Sequence, residues 1–347
     1  MPNTKKLVLV TGGNKGIGKA ICKCLLDKHP DVHVILGSRD ISRGCATLCD
    51  IVEGKPEDLA TRITLLQLDV LSDISVAAAA AKVAAIGKLY AIVNNAAVHP
   101  VEGLKGRSCE EIVNTNYFGP RRINDAFGPN LVKPGGRIVN VSSIGPLMYF
   151  DLLCRDRSVK AILESPVSEL HSVAKLDEMA RNKIPTLFKW TLCGRAGYPL
   201  LQPQHHAYFL SKALLNAYTV LHSKEEPELV INACCTGFIA TDAIPQNLGF
   251  TGSPEEGALL PVKLILSGEF TPTGDGLFYA EDKARALGKI PHLKRFPKCF
   301  ERIFSEDRVR ERAAKNGGDT MKDFIFVVVI VVPLCKVAFS LAQNLNL

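Results

Sequence analysis

Tyr208 and Lys212, four residues apart in "YFLSK", share one face of any helix that carries them. Such a pair is either a packed aromatic beside a solvated charge or a proton-transfer couple, and the pair alone does not choose. Upstream, "TGGNKGIG" spaces Gly12, Gly16 and Gly18 between the strand pattern "KLVLV" and a helical one. Glycines at that place let a backbone approach a pyrophosphate, whose charge meets the free amides and dipole of the helix start. The spacing is not the G-x-G-x-x-G fingerprint, and glycine-rich turns also simply join elements.

The second strand ends in "ILGSRD". Sheets that bind NAD usually place an acid there for the ribose 2′-hydroxyl, whereas this chain has Ser38 and then Arg39. An arginine favours a 2′-phosphate, and Lys15 inside the glycine loop supplies a second cation, so the cofactor expected is NADPH. The plain alternatives are a solvated Lys15 and an Arg39 paired with Asp40.

The elements that must hold these residues are readable as an alternation. "KLVLVT", "AICKCLL", "VHVILG", "ITLLQLDV", "SVAAAAAKVAAI", "LYAIVNNA" and "RIVNVSS" switch between short strand-like runs and helical patterns. This predicts an α/β fold, a doubly wound and mostly parallel sheet covered by helices on both faces. A helix over about His205–His222 carries the tyrosine, and "ELVINACC" and "GLFYA" supply later strands. Ser253 followed by "PEEG" has the capping residue, first-turn proline and early acids of a helix start. More than sixty residues separate "RIVNVSS" from "AYFLSK", far more than a connection of this kind needs, so an insertion spans about 146–204. Within it Val167, Leu170, Val173, Leu176 and Met179 recur every three residues, which predicts one apolar helical stripe packed on the main domain.

A composition of 47% hydrophobic and 22% charged residues excludes a disordered chain and a wholly membranous one. The formal charge of +7 is partly local, concentrated between Lys283 and Lys315, and no nucleic-acid partner is expected. Eleven cysteines without a signal-peptide pattern point to a reducing compartment rather than a disulfide framework. Cys22 with Cys24 and His29 with His33 lack a second pair at ligand spacing, so no metal is expected.

With "TGGNKGIG", "NNAA", "NTNYFG", "NVSS" and "YFLSK" in this order, the chain resembles the short-chain dehydrogenase/reductases over about residues 5–285. "VTGGNKGIGKAI", "INACCTGFIATD" and "SPEEGALLPV", with the insertion, resemble the carbonyl reductase subgroup most. The resemblance implies that Tyr208 protonates a carbonyl oxygen and that Lys212 binds the nicotinamide ribose and, with the cofactor's charge, lowers the tyrosine pKa. Ser143 would bond the substrate oxygen, and Asn116 would hold a water linking Lys212 to solvent. It also implies cofactor contacts from Gly12, Asn14, Lys15, Gly16, Ile17 and Gly18 in the loop, and from Ser38 and Arg39. Asp69 and Val70 would meet adenine, Asn95 the adenosine ribose, and Ile239 and Thr241 the carboxamide. Cys235 is expected near the nicotinamide. Ala97 and Thr236 stand where the family usually has Gly and Pro, which bears on cofactor affinity.

The function expected is NADPH-dependent reduction of a ketone, aldehyde or quinone by direct hydride transfer. Two other readings stay open: an alcohol, steroid or lipid dehydrogenase working oxidatively, and a redox-inactive NADPH-binding sensor or scaffold. Leu147, Met148, Tyr149 and Phe150 predict a small hydrophobic carbonyl substrate or are insertion core. A monomer is expected because, in related subgroups, a long insertion covers the usual dimerisation helices. The domain plan is a reductase domain over 1–285, a basic extension over 286–320 and a hydrophobic tail over 321–347. The apolar run Phe324–Cys335 is shorter than a bilayer span, but continuing to Ala342 reaches nineteen residues. This predicts a tail anchor on the cytosolic face of an intracellular membrane, with a docked C-terminal strand or helix in a cytoplasmic protein as the alternative.

Overall fold

A computed structural model describes residues 5–99, 107–146, 157–170, 172–182, 203–237, 239, 252–272, 274–280 and 283–285 of the 347-residue chain. Seven strands run parallel: β1 (Lys6–Val10), β2 (Val32–Ser38), β3 (Ile63–Gln67), β4 (Leu89–Asn94), β5 (Arg137–Ser142), β6 (Val230–Cys235) and β7 (Leu277–Ala280). Their order is β3-β2-β1-β4-β5-β6-β7, and a three-residue β8 (Lys283–Arg285) closes the β7 edge antiparallel. The sequence reading does not contain β8, because three residues carry no periodicity to read.

The helices used below are α1 (Gly16–Lys28), α2 (Ile41–Val52), α3 (Asp73–Ile86), α4 (Cys109–Val113), α5 (Gly119–Phe127), α6 (Arg157–Glu164), α7 (Val173–Asn182), α8 (Pro203–Glu225) and α9 (Pro254–Leu266). A π-helical turn, Asn114–Phe118, joins α4 to α5. Successive residues of β1 face opposite ways, which explains its continuous apolar sequence. Val8 packs with Ile21 and Leu25 of α1 and Val262 and Ile265 of α9. Leu9 packs with Val76 and Val83 of α3 and Ile123 and Phe127 of α5. Each fully buried side chain of this kind contributes about 1.5–3 kcal/mol.

The predicted start of α9 is observed in full: Ser253 Oγ accepts from the Glu256 amide at 3.1 Å, and Glu256 Oε2 accepts from the Ser253 amide at 2.8 Å. Three sequence expectations change. The tyrosine-bearing helix runs Pro203–Glu225, beyond both predicted ends. The apolar stripe is not one helix. Pro166–Glu169 forms a separate turn with Val167 37% exposed, and only Leu170, Val173, Leu176 and Met179 are buried. Pro166 restarts the helix there, and the chain must break again before α7. Finally, α2 does not appear in the sequence alternation, since the buried Gly44 and Thr47 dilute its apolar pattern.

From β1 the chain moves outward to β2 and β3, then crosses to β4 on the opposite side. The crevice at the carboxyl ends of β1 and β4 is the switch point at which open α/β sheets take ligands. Among the described residues no helix is long and apolar enough to cross a membrane. The basic extension and the hydrophobic tail lie outside the described residues.

Candidate active site

One groove of about 340 Å³ runs along this crevice. Gly12, Asn14, Lys15, Gly16, Ile17, Gly18, Arg39, Asp69, Val70, Asn95, Ser143, Tyr208, Lys212 and Ile239 all line it, so nearly the whole predicted set comes together.

The phosphate end is made by the backbone. Gly12 has φ +63°, and a Cβ on Gly18 would lie 2.3 Å from the Gly12 carbonyl oxygen and 2.4 Å from Asn95 Nδ2. The helix start thus approaches the loop as closely as backbone can, and no acid occupies the first turn of α1. Asn95 fastens the loop to β4, its Nδ2 donating to the Thr11 carbonyl at 2.9 Å and the Gly12 carbonyl at 3.2 Å. That amide holds the cradle, which leaves only Oδ1 for a ribose.

Ser38 departs from expectation. It is fully buried, donates to the Asp40 carbonyl at 2.7 Å and does not line the groove. Its hydroxyl is used in turning the chain from β2 into α2, where Asp40 caps the helix by accepting from the Arg43 amide at 3.1 Å. Arg43, which the sequence reading missed, lines the groove with Arg39. The spacing of four from Arg39 into the first turn of a helix is the signal that would have found it. Lys15, Arg39 and Arg43 line the adenosine end of the groove, where Arg43 Nε pairs with Asp40 at 3.4 Å.

At the other end, α8 carries Tyr208 and Lys212 beneath the end of β5. Ser143 hydrogen-bonds Tyr208, which eases ionisation, but burial and the neighbouring Cys235 thiol act more strongly and push the phenol up to about 12. Lys212 Nζ donates to the Val141 carbonyl at 2.8 Å, and burial pulls its pKa down to about 8. Burial, which disfavours the charged form, is the largest cause at both groups.

Asn116 is also more occupied than expected. Its Oδ1 accepts from the Val98 amide at 2.8 Å, while Nδ2 donates to the Val98 carbonyl at 3.0 Å and to Ser211 Oγ at 3.1 Å. It clamps the chain after β4 to α8, and one lone pair on Oδ1 remains for a water. His99, next along that clamped chain, presents its ring edge-on to Tyr208 at 4.8 Å between centroids.

Beneath the site lies a buried amide network that the sequence reading did not contain. Asn94 Nδ2 donates to Asn124 Oδ1 at 2.9 Å and to Asn140 Oδ1 at 2.8 Å. Asn140 Nδ2 donates to Thr219 Oγ1, and Asn124 Nδ2 to the Tyr218 hydroxyl, both at 2.9 Å. These bonds tie β4, β5, α5 and α8 into one frame. Thr241 and Leu147, Met148, Tyr149 and Phe150 lie outside the described residues, whereas Ala97 and Thr236 line the groove.

A family model described as short chain dehydrogenase matches residues 6–171. The chain is 32% identical over 335 residues to (-)-isopiperitenone reductase of Mentha piperita, covering 83% of this chain and 100% of that one. The chain belongs to the short-chain dehydrogenase/reductase family. Human carbonyl reductase [NADPH] 1 is a further member, 29% identical over 80% of this chain and 96% of its own. The structure of salutaridine reductase from Papaver somniferum superposes with a TM-score of 0.65 at 26% identity, over 80% of this chain and 100% of that one. As a short-chain dehydrogenase/reductase the chain is an oxidoreductase, and the groove has the parts its NAD(P) cofactor needs: a backbone cradle filled by any Cβ at Gly18, an acid-free helix start and adjacent cations.

Proposed function

We propose that the protein reduces a ketone, aldehyde or quinone to the alcohol, with NADPH as hydride donor and Tyr208 as proton donor. The observation that carries this reading is the convergence of Tyr208, Ser143 and Lys212 on the same groove as the glycine cradle. Arg39 directly follows β2, where an NAD enzyme would place an acid, and it lines the groove, which supports the 2′-phosphorylated cofactor. The name of the human relative, carbonyl reductase [NADPH], points the same way.

When bound, the nicotinamide supplies the hydride. The residues of the chain do the rest. Ser143 and Tyr208 hydrogen-bond the carbonyl oxygen, orient it and polarise it. A phenol held up to about 12 is fully protonated near neutrality and positioned to give its proton to the developing alkoxide. Lys212, charged below about 8, lies one helical turn along and stabilises the tyrosinate left behind.

Docking of the insertion supports a monomer. Asp177 of α7 accepts from the Tyr117 hydroxyl at 2.5 Å and from Arg121 Nη2 at 3.1 Å, covering the outer face of the π turn and α8. Light scattering that gave a stable tetramer would overturn that reading. For the hydrophobic tail we propose the membrane anchor, tested by fractionation: recovery of full-length protein without detergent, in unaggregated form, removes it.

The enzymatic test is NADPH oxidation against a panel of quinones, aldehydes and ketones, with Tyr208→Phe as control. Turnover should fall by about 10²–10⁴-fold in the variant while NADPH binding persists. Tight NADPH binding with no turnover of any carbonyl would favour the sensor reading instead.

A further inference from the structure

The insertion helix α7 grips the π-helical turn at two consecutive residues. Asp177 Oδ1 accepts from the Tyr117 hydroxyl at 2.5 Å. Arg181, one helical turn further on the same face of α7, lays its guanidinium over the Phe118 ring at 5.1 Å from the centroid. Tyr117 is fully buried, and burial together with the Asp177 carboxylate pushes its phenol well above the usual range, so it stays a donor near neutrality. Arg121 holds the same carboxylate, with Nε and Nη2 at 3.2 and 3.1 Å from Oδ2, and its guanidinium lies 5.0 Å from the Tyr218 centroid. The bond therefore lies in a charge-compensated corner between α5, α7 and α8.

The residue before Tyr117 is Asn116, whose side chain points the other way, into the clamp on Val98 and Ser211. Val98 leads directly to His99, whose ring meets Tyr208. One chain of contacts thus runs from Asp177 through the π turn to the tyrosine. A π turn is wider than an α-helical one and rare, and it occurs frequently at functional sites. Anchors on its outer face fix where its inner face points. A second anchor of α7 lies elsewhere: the Val173 amide donates to Glu225 Oε1 at 2.9 Å, at the last residue of α8, roughly 20 Å along that helix from Ser211. The two anchors separate docking of the insertion from control of Asn116.

We propose that Asp177 is a positioning residue for the catalytic end: through Tyr117 it fixes the π turn, and so holds Asn116 and the Val98–His99 segment against Tyr208. The inference rests on the catalytic reading given above. It makes the insertion a working part of the site as well as a cover.

The test compares wild type with Asp177→Ala, Tyr117→Phe and Glu225→Ala in the full chain, by steady-state kinetics on a carbonyl from the panel, NADPH titration and amide hydrogen exchange. Arg121 keeps Asp125 at 2.8 Å, so Asp177→Ala leaves no cation unpaired. At a temperature where every variant is folded, Asp177→Ala should lower kcat about tenfold, with KM and the NADPH dissociation constant within about twofold. Tyr117→Phe, which keeps the ring and removes the hydroxyl, should lower kcat about fivefold. The double variant should be no slower than Asp177→Ala, because both changes break one bond. The Val98 amide, which donates to Asn116, should exchange about tenfold faster in both variants. Glu225→Ala should lower stability and leave kcat and the Val98 amide as they are. The proposal is overturned if Asp177→Ala lowers stability with kcat unchanged, if Glu225→Ala lowers kcat equally, or if the effects of Asp177→Ala and Tyr117→Phe multiply. Should Asp177→Ala fail to fold, Tyr117→Phe decides alone. Wild-type protein without turnover of any carbonyl would remove the catalytic reading. The exchange of the Val98 amide then still decides whether Asp177 holds the clamp, and an unchanged rate in Asp177→Ala and Tyr117→Phe overturns the proposal.

Discussion

At the phosphate end of the groove, main-chain atoms shape the site. The cradle is a run of eight residues, "TGGNKGIG", whose geometry follows from the absence of side chains at Gly12 and Gly18. At the catalytic end, side chains from distant parts of the chain shape it. Tyr208 and Lys212 stand on α8, Ser143 follows β5, and Asn116 clamps Val98 across a sequence gap of 18 residues and meets Ser211 across 95. The first end is a local property, tolerant of change elsewhere. The second depends on a frame of buried amides and should fail when that frame is loosened.

Substitutions that separate affinity from turnover sharpen this contrast. The largest effect is expected at Gly18→Ala. Its methyl group would sit 2.3 Å from the Gly12 oxygen, and backbone cannot yield cheaply. Calorimetric titration should show NADPH binding weakened roughly a hundredfold, equivalent to about 3 kcal/mol. Binding kept within a few-fold would mean that the cradle is not where the cofactor sits.

Next in size is Asn140→Leu, which removes the centre of the amide frame and leaves Asn94 and Thr219 short of partners. Stability should fall by about 2–3 kcal/mol, with kcat reduced and the NADPH dissociation constant nearly unchanged. An equal loss of cofactor binding would break the division between the two ends.

The smallest effect concerns α8 away from the groove. His222 stacks on Tyr218 at 4.9 Å, and burial, helped by Arg121, lowers its pKa to about 4. The unfolded chain binds a proton there below about 6.5 while the folded one does not, so stability should decline as pH falls from about 6.5 to 4. His222→Phe keeps a stacked ring and removes this contribution; denaturant titrations across that window should show a flatter profile. An unchanged slope would mean that other groups account for any acid sensitivity.

The fold and most of the groove were legible because their signals are periodic or short-range. Strand runs such as "VHVILG" and the capping residue Ser253 act within a few positions, and their physical meaning does not depend on what packs nearby. The errors fall where the environment decides. Ser38 sits at the predicted strand end, yet its hydroxyl turns inward because Asp40 caps α2 and offers its carbonyl. The insertion stripe had the right spacing, but its helix ends at Glu169 and a new one starts at Val173.

By itself, the sequence determined that a parallel α/β sheet carries a glycine cradle, a cation after β2 and a Tyr–Lys pair on one helix face. Periodicity and backbone sterics are properties of the chain, so they can be read from it. Only the tertiary structure decided that Arg43 joins Arg39 and that Asn94, Asn124, Asn140 and Thr219 form one frame. Those facts depend on which side chains meet once the chain has folded, and no spacing encodes that.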